Sequence, residues 1–227
     1  VVLLSGEPTT PAAEAKLKAL RDVGVRVERA SRSKLFNELA RAVAVPQEGT
    51  DLVIVSLSSH GFEEGGVPYV MPADGTRGFL SDTGFSLRTV EERMGRSKAG
   101  KRLLIVDACR EKAGKDDKSA GSAMDQAWRA ALAQASGQAV LASCDVGQFS
   151  FEDVKLGHGV FTHHLVEALG GQAGADERGF ITLGSVSDYV AKAVNEWVAR
   201  NKVGSTAETA QKPWFKGPND ARAMPLA

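Results

Sequence analysis

The chain reads as one α/β domain built on a mostly parallel sheet with helices on both faces. Three observations predict this. Short apolar runs alternate with stretches of helical periodicity along the 227 residues. The runs are apolar at successive positions rather than at every second one, as in strands buried on both sides. A content of 43% hydrophobic and 25% charged residues is ordinary for a globular domain and supplies a core without disulfide staples.

Taken in order, Val1-Val-Leu-Leu4 predicts a buried strand, and Ser5-Gly6-Glu7-Pro8 a turn. Thr10 is placed to cap a helix whose first turn holds Pro11. That helix carries Leu17, Leu20 and Val23 on one face and stops at Gly24. Val25–Arg29 alternates like a strand. Leu35, Phe36, Leu39 and Val43 line one side of a helix over 33–43. Leu52–Leu57 predicts a second strand, ended by Ser58-Ser59-His60-Gly61, and 87–94 a helix. Arg102-Leu-Leu-Ile-Val106 predicts a third strand, ended by Asp107-Ala108-Cys109. Gly114–Gly121 is small, charged and turn-rich, so it reads as a flexible loop, with a short helix over 124–135. Gln138–Ala142 is a further strand, and 159–169 and 185–200 are amphipathic helices. The whole chain, 1–227, is one domain. Residues 1–110 and 138–227 form its two parts, and 111–137 is a linker.

Basic and acidic residues balance at 28 each, so no charge excess points to nucleic acid or an anionic membrane. No apolar run approaches the roughly 18 residues of a membrane span. The two cysteines, Cys109 and Cys144, are too few for a disulfide framework and lack zinc-site spacing. Their sparsity fits a reducing compartment and favours the cytoplasm. Opening on Val1 inside an apolar stretch, the chain reads as part of a longer polypeptide, with neighbouring or partner domains that regulate it.

Chemistry concentrates at two strand ends, where α/β sheets gather functional residues. A cysteine is nucleophilic as a thiolate, and a nearby imidazole can take its proton. Cys109 follows one apolar run and His60 another, 109 − 60 = 49 residues upstream. This approximates the caspase pattern of a cysteine followed by arginine with a histidine about 50 residues before it. Gly61 has no side chain to block a carbonyl oxygen. Its N–H and that of Cys109 are the candidate oxyanion donors. His158, His163 and His164, at intervals of 5 and 1, do not share a helical face. They read as cap or surface residues, and no metal site is expected. No phosphate-cradling glycine loop is present, which argues against a nucleotide-binding flavodoxin-like domain.

These motifs resemble those of caspases, metacaspases and their bacterial relatives. Ser59-His60-Gly61 is similar to the family's histidine motif, and Asp107-Ala-Cys-Arg110 to its nucleophile motif. Tyr69-Val-Met-Pro-Ala-Asp-Gly75 resembles the hairpin after the histidine. Ala142-Ser-Cys-Asp-Val-Gly-Gln-Phe-Ser-Phe-Glu152 resembles the substrate strand and loop. Gly157-His-Gly-Val-Phe-Thr162, Gly179-Phe-Ile-Thr182 and Gln211-Lys-Pro-Trp214 resemble later segments, in family order. The resemblance implies a caspase-like three-layer α/β/α sandwich around a six-stranded sheet, and a cysteine endopeptidase using Cys109 and His60.

The departures from animal caspases bear on specificity. Asp107 stands where they carry glutamine, and Glu152 aligns with the arginine that holds their substrate's aspartate. Metacaspases, which cut after arginine or lysine, share the aspartate, and Ser58 matches another position lining their pocket. Asp145 is a further candidate that one loop shift would exchange with Glu152. A pocket of carboxylates pairs with a basic residue and repels an acidic one. The implied partner is therefore a protein or peptide with Arg or Lys at the cleaved bond. No organic cofactor is implied. Some metacaspases depend on calcium, but no EF-hand-like loop occurs here. Self-cleavage, as in relatives, is expected at Lys112, Lys115, Lys118 or Arg129. A catalytically silent module of the same fold remains the alternative.

Overall fold

The computed structural model describes residues 1–46, 49–110, 138–145, 148–202 and 210–227, with backbone alone for 108–110. The loop and helix expected over 114–135, and the basic residues proposed for self-cleavage, lie outside the described residues.

The chain opens with β1 (Val2–Ser5), α1 (Pro11–Asp22), β2 (Arg26–Arg29) and α2 (Arg32–Ala44). Thr10 caps α1 as the sequence predicts, its Oγ1 accepting from the Ala13 N–H at 3.2 Å. Then come β3 (Leu52–Glu64), β4 (Val67–Val70), α3 (Leu80–Thr83), β5 (Phe85–Ser86), α4 (Leu87–Gly95) and β6 (Lys101–Arg110). The second half holds β7 (Ala139–Ala142), β8 (Glu152–Asp153), β9 (His158–Gly159), α5 (Val160–Glu167), a π-helical turn (Ala168–Gln172), α6 (Leu183–Asn201) and β10 (Trp214–Lys216). Thr182 and Ser185 close a capping box at the start of α6. Among the described residues no helix is long and apolar enough to cross a membrane.

Six strands form the main sheet in the order β10-β7-β6-β3-β4-β5. The sheet is mixed rather than purely parallel: the central strands β3, β6 and β7 pair in parallel as expected, and β4, β5 and β10 are joined through antiparallel pairings. The cause on one side is the two-residue link Gly65-Gly66, with φ of 60° and 75°. Both residues in the left-handed region make the tight hairpin turn that returns the chain antiparallel, whereas a parallel partner needs a long crossover. A correction concerns the first strand. Among the described residues β1 pairs with β2 alone, in a separate two-stranded parallel sheet, and Val2 is 41% exposed rather than buried.

Helices cover the central strands on both sides. Leu57, Leu104, Val106 and Val140 pack toward α2 and α4, against Leu39, Val90 and Met94. Leu103, Ile105 and Leu141 pack toward α5 and α6, against Phe161, Val186, Val190 and Val194. The alternation of these two sets along β6 is that of a strand buried on both faces. It produces the three layers of an α/β/α sandwich.

Candidate active site

β3 and β6 do not end where their apolar runs end. β3 continues through Ser58, Ser59, His60 and Gly61 to Glu64, and β6 continues through Asp107 to Arg110. The polar residues are kept in extended backbone by the parallel ladder between the two strands and by β4, whose Val70 registers with Gly61. The candidate residues therefore occupy strand tips rather than the loops beyond them. Cα partners along the ladder are Ser56 with Ile105, Ser58 with Asp107, and His60 with Cys109. Adjacent parallel strands lie about 4.8 Å apart, and residues in register share a side of the pleat. Counting by twos from Ile105, which packs under α5 and α6, Asp107 falls on that side with Ser58 beside it, and two residues further on the backbones of His60 and Cys109 are partners in the ladder.

His60 is exposed, and its backbone is anchored from the β4 side. The Met71 N–H donates to the His60 carbonyl at 3.1 Å, and Ser59 Oγ donates to the Met71 carbonyl at 3.0 Å. The imidazole lies 6.4 Å from the Phe62 ring, centroid to centroid. Gly61 is buried.

Asp107 is 5% exposed, and both its carboxylate oxygens are occupied. Ser150 Oγ donates to Oδ1 and Thr162 Oγ1 to Oδ2, each at 2.6 Å, the short range of hydroxyl bonds to a carboxylate. Behind Ser150 stands Gln211, wholly buried. Its Nε2 donates to Ser150 Oγ and to the Ser143 carbonyl, both at 3.1 Å, and its Oε1 accepts from the Phe151 N–H at 2.9 Å. The network thus ties the ends of β6 and β7, the start of α5 and the segment before β10 to one carboxylate. Among the described residues no lysine or arginine pairs with it. Ser150, Thr162 and Gln211 were absent from the sequence-derived site. All three lie in segments that carry the family resemblance, but nothing local ties any of them to Asp107.

The other candidates stand at different depths. Ser58, the register partner of Asp107, is exposed. Glu152 is exposed on β8, where it pairs with Gly159 of β9. A Cβ at Gly159 would sit 3.0 Å from Asp107 Oδ2, so glycine is what lets this ribbon close on the carboxylate. Glu152 is the backbone partner of that glycine on β8. Asp145, half-buried, lies in a turn after β7 held by Gln148, whose Oε1 accepts from the Asp145 N–H at 3.3 Å. Cys144 is buried, and its carbonyl accepts from Trp214 Nε1 at 3.0 Å.

The comparisons with known proteins give the family and the fold. The family model described as the caspase domain matches residues 13–223. Among solved structures the fold is similar to that of protein GSU0716 from Geobacter sulfurreducens, at 14% identity and a TM-score of 0.55 over 94% of this chain and 86% of that one. It is also similar to the Drosophila initiator caspase Dronc, at 10% identity and a TM-score of 0.54 over 97% of this chain and 79% of that one. No curated protein matches by sequence.

Proposed function

The chain belongs to the caspase domain family of cysteine peptidases, and from that premise we propose that it is an endopeptidase cutting after arginine or lysine, with Cys109 as nucleophile and His60 as its base. The observation that carries this reading is the register of β3 on β6. The backbones of His60 and Cys109 are partners in that ladder, and two residues before Cys109 lies a buried Asp107 bonded only to hydroxyls among the described residues, which supports the reading. A buried carboxylate without a cation is expensive unless a partner supplies one. A substrate's guanidinium or ammonium group is such a partner, and Arg fits it with two parallel bonds. An acidic side chain there would be repelled.

With the basic side chain seated, the scissile carbonyl lies at the strand tips. The Cys109 thiolate attacks its carbon, and the oxyanion takes the N–H groups of Gly61 and Cys109. His60 passes the thiol proton to the leaving amine, then takes one from water, whose hydroxide releases the acyl group and restores the thiol. Every atom in this cycle comes from the chain, the substrate or water, so no organic cofactor enters. Ser58, Glu152 and Asp145 are assigned to the rim of the pocket. Self-cleavage after Lys112, Lys115, Lys118 or Arg129 would follow from the same specificity.

A panel of fluorogenic peptides differing only in Arg, Lys or Asp at the cleaved position tests the reading. Release from the Arg and Lys peptides, absent in Cys109→Ala, is the expected result. Turnover of the Asp peptide alone would refute the acidic pocket, and no turnover of any peptide would favour a silent module.

A further inference from the structure

One turn along α5 from Thr162, a second group of side chains converges, and it includes neither His60 nor Cys109. His163 Nε2 lies 3.3 Å from Glu167 Oε1, and His164 Nδ1 lies 2.7 Å from Glu167 Oε2. One ligand atom from each of the three residues lies within 4.8 Å of the other two. The spacing of the histidines alone hides this. Neighbours in sequence, they sit about 100° apart on the helix, but Glu167 is four residues from one and three from the other, the two separations that bring helical side chains together.

The surroundings add three observations. Tyr189 OH, from α6, donates to Glu167 Oε2 at 3.2 Å. Such an outer bond orients a ligating carboxylate. The His158 ring, on β9, lies 5.3 Å from the His163 ring. His164 Nε2 is buried and has no hydrogen-bond partner among the described residues. The ring thus carries one nitrogen facing the carboxylate and a second that no described residue answers.

We propose that His163, His164 and Glu167 form a binding site for a borderline divalent transition metal ion of the zinc class, separate from the peptidase centre. Two imidazoles and one carboxylate are the donors such ions prefer, whereas calcium and magnesium take oxygen. With bonds of about 2.0–2.1 Å, tetrahedral coordination holds ligand atoms roughly 3.3 Å apart. The His163 Nε2–Glu167 Oε1 separation, 3.3 Å, matches that value, and His164 Nδ1, 2.7 Å from the other carboxylate oxygen, would exchange that hydrogen bond for the ion. Three protein ligands leave the fourth position to water or to His158. A bound ion would brace the turn of α5 that follows Thr162, the donor to Asp107.

Cobalt(II) and zinc(II) salts are the probes, added to the full chain carrying Cys109→Ala so that the strand-tip thiol cannot bind them. Cobalt is expected to raise visible d–d bands saturating near one equivalent, without the near-ultraviolet charge-transfer band of a thiolate, and zinc to displace it. In the same background, His163→Gln and the isosteric Glu167→Gln are each expected to weaken binding by roughly tenfold or more, and Tyr189→Phe by about tenfold. Far-UV circular dichroism is recorded for each variant to confirm the native fold. Binding that is undetectable at 100 µM metal, that persists unchanged in folded His163→Gln and Glu167→Gln, or that shows the thiolate band would overturn the site.

Discussion

Two acids, one on each side of the central sheet, have opposite fates. Asp107, facing α5, is almost fully enclosed, yet both its oxygens accept from hydroxyls that a buried glutamine holds in place. Glu91, on α4 across the sheet, has Oε1 buried with no hydrogen-bond partner among the described residues. Burial pushes its carboxyl up to about 8, against the opposing pull of Lys216 and Arg88. Enclosure alone therefore does not distinguish the two acids. Asp107 differs in having a prepared set of donors, assembled from remote parts of the chain near the strand residues His60 and Cys109.

The largest effect should come from the side that is prepared. Asp107→Asn removes the charge and keeps the volume, so the fold should survive while the cation of an Arg substrate loses its partner. Breaking such a pair costs about 3–5 kcal/mol, and kcat/KM for an Arg peptide should fall by roughly 10² to several times 10³. A loss under threefold would detach Asp107 from specificity.

Next in size is the support behind it. Gln211→Leu would strand the buried Phe151 N–H and the Ser143 carbonyl, so urea unfolding should show a loss of about 2–3 kcal/mol. Unchanged stability would mean that the network is not the frame described here.

On the unprepared side the signature is pH dependence. The folded-state value for Glu91, about 8, lies above the ordinary 4.5. Between those limits the native chain holds a proton that the unfolded chain has released, so stability should fall as pH rises from about 5 to about 8 and level off above. In Glu91→Gln this component of the slope should vanish, and the urea midpoints of the two proteins should diverge in favour of the variant as pH rises. Parallel midpoints across the window would contradict the burial of an ionisable group there.

The smallest effect belongs to a region that packs on neither side. α1 buries no side chain, so Thr10→Ala should lower stability by only about 0.5 kcal/mol, the low end for a helix cap. A loss above about 2 kcal/mol would mean that α1 is more firmly seated than its exposure indicates.

The contrast between the acids also shows what could be read in advance. Local signals served well. Thr10 caps its helix, the apolar runs 52–57, 102–106 and 138–142 are strands or lie almost wholly within them, and the histidine and cysteine motifs fall at neighbouring strand tips. Ser58-Ser-His reads as a strand end because its side chains are polar, yet it stays extended because the β6 ladder on one side and the Met71 N–H on the other hold its backbone. Val1–Leu4 reads as buried because it is apolar, but burial depends on neighbours, and β1 lies outside the main sheet beside β2. The antiparallel turn into β4 follows from Gly65-Gly66, a signal present in the sequence but passed over. Ser150 and Thr162 reach Asp107 across 43 and 55 residues, and no periodicity marks contacts at such range. Inspection of the histidines alone could not find Glu167, since what joins the three residues is a shared helical turn.

The most direct test of the proposed centre is covalent. The protein is treated with an arginyl chloromethylketone and, in parallel, with the aspartyl analogue, and the adduct is located by peptide mapping. The account predicts one adduct from the arginyl reagent, on Cys109 and not on Cys144, lost in His60→Ala and in Asp107→Asn. Preferential labelling by the aspartyl reagent, or an arginyl adduct on Cys109 that forms as fast without Asp107 as with it, would contradict the account.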